Sequence, residues 1–240
     1  MSMSIGCVGC GNMGGAILAG LAASSLDCTL YGHTRTAARM APLEAAGVTR
    51  LDSARELARK ARYVVMAVKP YQIEALLAEM APEFGPDTVV ISVAAGISIA
   101  RLQAAVAGRC PVVRCMPNTP ALVGKGVFAL CFDDKVPAES KEDILRFFSQ
   151  LGVCLELPES RFTAFSALIG AGPAYVFGMM QGLVQAGVTL GLGRKDCRDM
   201  VAALFEGSAV MAARSDTPLM ELRDQVCSPG GLTIAGVNVL

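Results

Sequence analysis

Uninterrupted apolar runs alternate with amphipathic segments over the first two thirds of the chain. The runs Tyr63–Val68 and Thr88–Val93 are apolar at almost every position, which is typical of parallel strands buried on both faces. Segments with helical periodicity follow the runs, and Ser53 with Glu56 forms a capping box at the start of one of them. The pattern predicts an α/β fold, with a doubly wound Rossmann-type domain over residues 1–157.

The pattern changes after this domain, because strand signals end and only helical periodicity continues. Residues 158–240 are therefore expected to form an all-α oligomerisation domain, with helices at 161–190, 195–214, 218–226 and 233–240. No charged residue lies between Arg161 and Arg194, a length that could span a bilayer. The segment also contains several glycines and follows a complete α/β domain, so we interpret it as buried in a subunit interface. A membrane span is the alternative.

Composition and charge narrow the classes of partner. The chain has 240 residues, with 21 basic and 21 acidic side chains, so it lacks the basic surplus that binds nucleic acid or anionic lipid. Its first residues, Met1–Ser4, lack the positive region of a signal peptide, and a cytoplasmic location is expected. Nine scattered cysteines favour reduced thiols over a disulfide framework. Cys7 and Cys10 have the Cys-x-x-Cys spacing of metal and redox sites, but with a single histidine in the chain we expect no metal.

The first apolar run leads into a glycine-rich turn with the sequence Gly9-Cys10-Gly11-Asn12-Met13-Gly14, and a predicted helix follows. In this context the three glycines allow a tight turn, the close approach of a diphosphate and the packing of the helix on the strand. The positive helix N-terminus then attracts the diphosphate. The turn predicts a dinucleotide site, and a purely structural turn is the alternative.

The residues after the second strand, Cys28–Tyr31, indicate which dinucleotide binds. An NAD-binding chain places an acidic residue here to hold the ribose 2′-hydroxyl, whereas this chain has Thr34, Arg35 and Thr36. An arginine with hydroxyls suits a 2′-phosphate, so NADP(H) is the expected cofactor and NAD(H) the alternative. Arg35 in solvent at an ordinary turn is the other interpretation.

Further candidates follow the buried strands, because the carboxyl ends of parallel strands form the ligand-binding edge of such a sheet. Lys69 is expected to contact cofactor or substrate or to donate a proton, with a solvated lysine as the alternative. Asn118 is expected near the nicotinamide, with a turn-stabilising role as the alternative. The predicted cofactor residues are Gly9, Cys10, Gly11, Asn12, Met13, Gly14, Thr34, Arg35, Ala67, Val68, Lys69, Pro70, Ala94, Ala95, Gly96 and Asn118.

Six motifs in the same order resemble those of pyrroline-5-carboxylate reductases and cover nearly the whole chain. They are Gly9–Gly14, Ala67–Pro70, Ser92–Gly96, Arg114–Pro120, Gly170–Tyr175 and Ser228–Ile234. The resemblance implies reduction of the cyclic imine 1-pyrroline-5-carboxylate to L-proline by NAD(P)H, in homo-oligomers built from interlocked helical domains. Departures from the family pattern are Ala54, Ala171, Cys227 and Leu232, and none removes a residue expected to carry the chemistry.

Hydride transfer to a cyclic imine requires the nicotinamide near the imine carbon and a protonated imine nitrogen. The single histidine, His33, lies in the predicted adenosine region, which excludes the histidine-based mechanism of hydroxy-acid dehydrogenases. Thr233 is the candidate partner of the ring nitrogen and Lys69 the second catalytic candidate. Backbone amides at a predicted helix start suit the substrate carboxylate. The predicted substrate residues are Val226, Ser228, Gly230, Gly231, Leu232 and Thr233.

These substrate residues belong to the helical region and are expected to fold over the carboxyl edge of the sheet, that of a partner subunit. Two other functions remain open on the sequence alone. One is another NADP-dependent imine or β-hydroxyacid reductase of the same architecture. The other is a non-catalytic NADP(H)-binding protein, against which the presence of Lys69 and Thr233 speaks.

Overall fold

The chain divides into two compact units, Met1–Pro173 and Ala174–Leu240. The computed structural model describes residues 3–239. Each unit is treated separately below.

An eight-stranded sheet forms the centre of the first unit. Its strands are β1 (Met3–Val8), β2 (Cys28–His33), β3 (Thr49–Arg50), β4 (Tyr63–Met66), β5 (Val89–Ser92), β6 (Val112–Met116), β7 (Gly126–Phe132) and β8 (Gly152–Glu156). They lie in the order β3-β2-β1-β4-β5-β6-β7-β8, with parallel pairing from β3 through to β6 and between β7 and β8. β7 runs antiparallel to β6 because the connection between them, 117–125, is too short for a parallel crossover.

Helices cover both faces of this sheet. They are α1 (Asn12–Ala22), α2 (Ala41–Ala45), α3 (Ala54–Lys60), α4 (Pro70–Met80), α5 (Ile99–Ala105), α6 (Ala138–Ser149) and α7 (Phe162–Phe165). Alternate residues of β4 belong to different cores: Tyr63 and Val65 pack with α1 and α6, whereas Val64 and Met66 pack with α3, α4 and α5. All four side chains are fully buried, as the continuous apolar run predicts for a strand covered on both faces. The predicted doubly wound Rossmann-type sheet is confirmed.

Two helices begin with a serine cap, and the sequence predicts the one at Ser53. The Ser53 hydroxyl accepts a hydrogen bond from the Glu56 amide at 3.1 Å, and the Ser98 hydroxyl accepts one from the Arg101 amide at 3.3 Å. A 3₁₀ turn at Ala37–Arg39 precedes the short helix α2.

The C-terminal helices are α8 (Gly172–Thr189), α9 (Arg194–Arg214), α10 (Leu219–Asp224) and α11 (Leu232–Val237). In the second unit, Val184 of α8 packs against Cys197 and Val201 of α9 in a small core. Little else of α8 is buried within this unit, and Phe177 and Met179 are among its most exposed side chains.

The predicted helix over 161–190 is present, but it is not a regular α-helix throughout. A 3₁₀ turn (Glu159–Arg161), α7 and a π-helical turn (Ser166–Gly170) precede α8. Gly170 and Pro173 flank the break, and Pro173 has no amide to continue the hydrogen-bond ladder from the preceding turn. By length and composition alone the stretch Glu159–Thr189 could cross a membrane, and only 6% of its most apolar window is buried in the chain.

Candidate active site

A cavity of about 1220 Å³ follows the carboxyl ends of four parallel strands in the first unit, β2, β1, β4 and β5. Because these strands are neighbours in that order, the loops that follow them form one continuous wall. The cavity brings together twelve of the predicted cofactor residues: Gly9, Gly11, Asn12, Met13, Thr34, Arg35, Ala67, Val68, Lys69, Pro70, Ala94 and Ala95.

The turn between β1 and α1 has the geometry expected of a dinucleotide loop. Gly9 has a φ of 96°, and a Cβ atom there would lie 2.8 Å from the carbonyl carbon and oxygen of Ala67. A Cβ atom on Gly14 would collide with the carbonyl oxygen of Gly9, so α1 packs closely on the turn. The Gly9 amide donates to the carbonyl of His33 at 2.8 Å, which joins the turn to the end of β2.

The N-terminus of α1 faces this cavity, since Gly11, Asn12 and Met13 all line it. Gly11 is the N-cap and has no side chain to accept hydrogen bonds from the first amides of the helix. Unpaired amides at the positive end of a helix dipole suit an anion such as a diphosphate.

The Cys10 side chain lies below the turn and does not line the cavity. Its thiol is buried and donates long hydrogen bonds of 3.7 Å to the carbonyl oxygens of Cys7 and His33. The hydrogen bond between the two thiols lowers the pKa of Cys10 and, together with burial, raises that of Cys7. The Cys10 side chain thus belongs to the core, and a contact of Cys10 with the cofactor stays a prediction for its backbone.

Two arginines lie at the β2 end of the cavity, Arg35 and Arg39. Arg39 is in the 3₁₀ turn after the predicted 2′-phosphate residues, and its Nη1 atom lies 3.1 Å from where a Cβ atom on Gly11 would be. Sequence reasoning missed it, because an arginine in an amphipathic segment is normally a solvated surface residue. Its one sequence signal is the spacing of four residues from Arg35.

His33 lies at the same end, as predicted for the adenosine region. Its Nδ1 atom is 3.0 Å from the carbonyl oxygen of Leu51, and the residues that follow this carbonyl, Asp52, Ser53 and Ala54, also line the cavity. Ala54 stands where the family pattern commonly has asparagine, so this wall presents a methyl group in place of a carboxamide.

Lys69 is exposed at the end of β4, in the loop that leads into α4. Its backbone amide donates to the Gln72 side-chain oxygen at 3.3 Å at the start of the helix, and Lys69 lines the cavity. Tyr71 follows it, lines the cavity and is 83% exposed. Sequence reasoning did not single out Tyr71, although it lies directly after the Lys69-Pro70 motif.

Three further predicted cofactor residues, Gly14, Gly96 and Asn118, lie outside the cavity wall. Asn118 is buried and uses both ends of its carboxamide within the protein: Nδ2 donates to the carbonyl of Ile169 at 3.2 Å, and Oδ1 accepts from the amide of Val127 at 2.9 Å. These hydrogen bonds favour the turn-stabilising role that we gave above as the alternative, and the contact with the nicotinamide stays a prediction.

The predicted substrate residues lie together in the second unit, in the turn after α10 and at the start of α11. The Gly231 amide donates to the Ser228 carbonyl at 3.0 Å, and Gly230 has a φ of 69°. α11 begins at Leu232, directly before Thr233. Val226, Leu232 and Thr233 are all exposed in this unit.

Comparison with known proteins identifies both parts of the chain. Residues 159–240 match the family described as pyrroline-5-carboxylate reductase dimerisation, and residues 4–96 match the one described as NADP oxidoreductase coenzyme F420-dependent. The pyrroline-5-carboxylate reductase of Escherichia coli is 35% identical over 243 residues, which span 100% of this chain and 90% of that protein.

Two solved structures have the same fold over nearly their full length. The Plasmodium falciparum pyrroline carboxylate reductase with NADP bound has a TM-score of 0.87 and 31% identity, with 99% of this chain and 89% of that one covered. The Coxiella burnetii pyrroline-5-carboxylate reductase has a TM-score of 0.90 and 29% identity, with 100% and 90% covered. The full-length relatives and the match of the helical segment point to the same family, and the glycine turn with its cavity is consistent with it. This chain belongs to the pyrroline-5-carboxylate reductase family.

Proposed function

We propose that this chain is an enzyme that reduces 1-pyrroline-5-carboxylate to L-proline with NADPH, the last step of proline synthesis. The observation that carries the proposal is the continuous cavity along β2, β1, β4 and β5, in a chain that matches named pyrroline-5-carboxylate reductases from end to end. The six sequence motifs support the same conclusion.

The cavity fits the phosphates of NADP(H) at two places. The uncapped N-terminus of α1 suits the diphosphate, and Arg35 with Thr34 suits the 2′-phosphate at the β2 end. With the phosphates so placed, the order of the strands supports a nicotinamide position near the loops after β4 and β5, where Lys69 and Ala94 lie. NAD(H) remains the weaker alternative, since no carboxylate replaces Arg35 at the end of β2.

The reaction joins a hydride and a proton to a carbon–nitrogen double bond. When bound, reduced NADP supplies the hydride to the imine carbon, and the electron pair of the double bond moves to the nitrogen. The remaining requirement is a proton on the ring nitrogen, which makes the carbon a good hydride acceptor. Thr233 is our candidate for this position, as a hydroxyl that hydrogen-bonds the nitrogen or holds a proton-donating water.

Three other features of the chain support the substrate. Lys69 contributes positive charge at the predicted nicotinamide end of the cavity, and it is the second candidate proton donor. The amides of Gly230, Gly231 and Leu232 suit the substrate carboxylate, with Val226 and Ser228 beside them in the same exposed turn. Asn118 contributes indirectly, because its carboxamide hydrogen-bonds the backbone at Val127 and Ile169 and so stabilises the turns there.

We propose a functional division at residues 157 and 158, into an NADP(H)-binding domain and a helical domain for dimerisation and substrate binding. The family match that begins at residue 159 supports this division, although residues up to Pro173 pack in the first compact unit. The apolar faces of α8 would then lie between subunits of a homodimer or a larger oligomer of dimers, rather than in a membrane. We place the enzyme in the cytoplasm.

The purified chain, mixed with NADPH and 1-pyrroline-5-carboxylate, is expected to oxidise NADPH and form L-proline in equal amounts. A panel of other cyclic imines and 3-hydroxy acids separates this activity from that of a related reductase. Tight NADPH binding without oxidation on any imine would instead identify a non-catalytic NADP(H)-binding protein.

A further inference from the structure

Glu159 joins three elements of the first unit through one carboxylate. Its Oε1 atom accepts a hydrogen bond from the Ile99 amide at 2.8 Å and another from Arg114 Nη1 at 2.9 Å. Ile99 begins α5, Arg114 lies in β6, and Glu159 begins the 3₁₀ turn that precedes α7. The carboxylate therefore connects the end of the loop between β5 and α5, which lines the cavity, to the first helical residues after the sheet.

The ion pair at the centre of this connection is largely shielded from solvent. The Arg114 side chain is 14% exposed and that of Glu159 35%. The Arg114 guanidinium also lies 4.5 Å from the ring centroid of Phe162, which is fully buried. A charged hydrogen bond and a cation–π contact in such a setting hold the segment more firmly than an exposed surface pair does.

The loop held by Glu159, residues 93–98, forms the β5 end of the cofactor cavity. Val93, Ala94 and Ala95 line the cavity, and Gly96 turns the chain with a φ of 77°. Strand β5 fixes the start of this loop, because the Val93 amide donates to the carbonyl of Met66 at 3.1 Å. At the other end the Ile99 amide is bound by Glu159.

Ile97 anchors the middle of the loop by burial in the core, whereas the other polar side-chain contacts to the loop are weaker. Arg101 donates to the carbonyl of Gly96, but at 3.4 Å and from a side chain that is half exposed. The Ser98 hydroxyl caps α5 from within the loop itself, so it does not tie the loop to another element. Glu159 thus supplies the strongest polar contact between the end of the loop and a distant part of the sequence.

We propose that Glu159 is a positioning residue for the cofactor: its carboxylate holds the loop 93–98 in the conformation that lines the cavity. The inference rests on the proposed function, since it assumes that this cavity binds NADPH. Through Glu159, the first residues of the region that matches the dimerisation family also set the shape of the cofactor site.

The test compares NADPH binding by the full chain and by three variants, measured by fluorescence without turnover. Glu159→Ala removes both hydrogen bonds and is expected to weaken NADPH binding about 3- to 20-fold, a part of the full effect of a lost charged hydrogen bond. Glu159→Gln keeps an oxygen that can accept from the Ile99 amide, so it should recover most of the affinity. Glu156→Ala is the matched control, because it breaks the ion pair with Lys141 at 2.6 Å on β8, away from the loop; its affinity should equal that of the wild type.

Hydrogen exchange in the wild type tests the contact between Glu159 and the Ile99 amide without any substitution. In the wild type without NADPH, the Ile99 amide should be protected almost as well as the amides of β5, and Glu159→Gln should leave that protection in place. Fast exchange of the Ile99 amide in the wild type, or a Glu159→Ala protein that binds NADPH as tightly as Glu156→Ala, would overturn the inference. A wild type that binds NADPH but reduces no cyclic imine would overturn the proposed function alone.

Discussion

The guanidinium of Arg39 lies over Gly11, with its Nη1 atom 3.1 Å from the position of a Cβ atom on that glycine. Gly11 is the N-cap of α1, so this contact places a positive charge beside the uncapped end of the helix. The contact distinguishes the two arginines of the cavity: Arg39 lies beside the predicted diphosphate turn, and Arg35 is the candidate for the 2′-phosphate.

Arg35→Ala should change cofactor preference. Loss of a charge-assisted hydrogen bond to the 2′-phosphate is expected to raise the KM for NADPH about 10- to 100-fold and to leave the KM for NADH nearly unchanged. Steady-state kinetics with both cofactors measures this. Equal effects on NADPH and NADH would remove Arg35 from the 2′-phosphate site.

Arg39→Ala is the matched variant, because the diphosphate is common to both cofactors. We expect it to weaken NADPH and NADH binding by similar factors, about 3- to 30-fold, as its position beside Gly11 indicates. Isothermal titration with each cofactor gives the comparison. A loss confined to NADPH would place Arg39 at the 2′-phosphate with Arg35.

Two glycines of the turn should respond differently to the same substitution. Gly11→Ala meets only the flexible end of Arg39, so the variant should fold with a near-normal melting temperature but bind NADPH poorly, because its methyl group occupies space at the diphosphate. Gly14→Ala collides with the Gly9 backbone and should lose stability instead. Melting curves and NADPH titrations distinguish the two, and a Gly11→Ala protein with wild-type affinity would contradict the placement of the diphosphate.

The exposed apolar side chains of α8 should mark the subunit interface. Phe177 is 63% exposed, so Phe177→Lys costs the isolated chain little but places an unpaired charge in a buried contact. We expect the variant to lose its oligomeric state in sedimentation experiments. Val153→Lys on β8, which is 59% exposed and outside the region that matches the dimerisation family, is the control and should sediment like the wild type.

Alkaline pH should destabilise the protein through its buried thiols. Burial raises the pKa of Cys110 to about 12, whereas in the unfolded chain it stays near 9.0. The folded state then holds a proton that the unfolded state releases, so this contribution to stability is complete below about pH 9 and is lost as the pH rises toward 12.

Urea unfolding under reducing conditions at pH 8 and pH 10.5 measures this loss. Cys110→Ser removes the titrating thiol at a site of similar volume, so its stability should fall less between the two pH values than that of the wild type. An identical fall in both proteins would show that Cys110 does not contribute.

Sequence patterns predicted the elements whose burial is two-sided. The run at Tyr63–Val68 could only be a central strand, and the glycine turn could only be followed by α1, because backbone sterics and burial leave no alternative. The π-helical turn at Ser166–Gly170 was missed, since helical periodicity of apolar residues does not report a change in hydrogen-bond register. Arg39 was missed, and the two roles of Asn118 were left open, for a related reason: which polar groups a side chain reaches depends on the folded loops around it.

The central claim, that this cavity and Thr233 serve hydride transfer from NADPH to a cyclic imine, has two consequences for Thr233 variants. Thr233→Ala should lower kcat about 10- to 1000-fold with nearly unchanged NADPH affinity, because the hydroxyl acts at the protonated nitrogen in the transition state. Thr233→Ser keeps the hydroxyl and should recover much of the loss. Wild-type kcat in Thr233→Ala would transfer the proton-supplying role to Lys69 or to water.

The most direct test follows the hydride itself. NADPH that carries deuterium at both positions of nicotinamide C4 is incubated with the wild-type chain and 1-pyrroline-5-carboxylate, so that the transferred hydride is labelled whichever face reacts, and the product is analysed by mass spectrometry and NMR. We predict L-proline with one deuterium on the ring carbon that was double-bonded to nitrogen in the substrate. Proline without the label, or oxidation of NADPH without proline, would contradict the account.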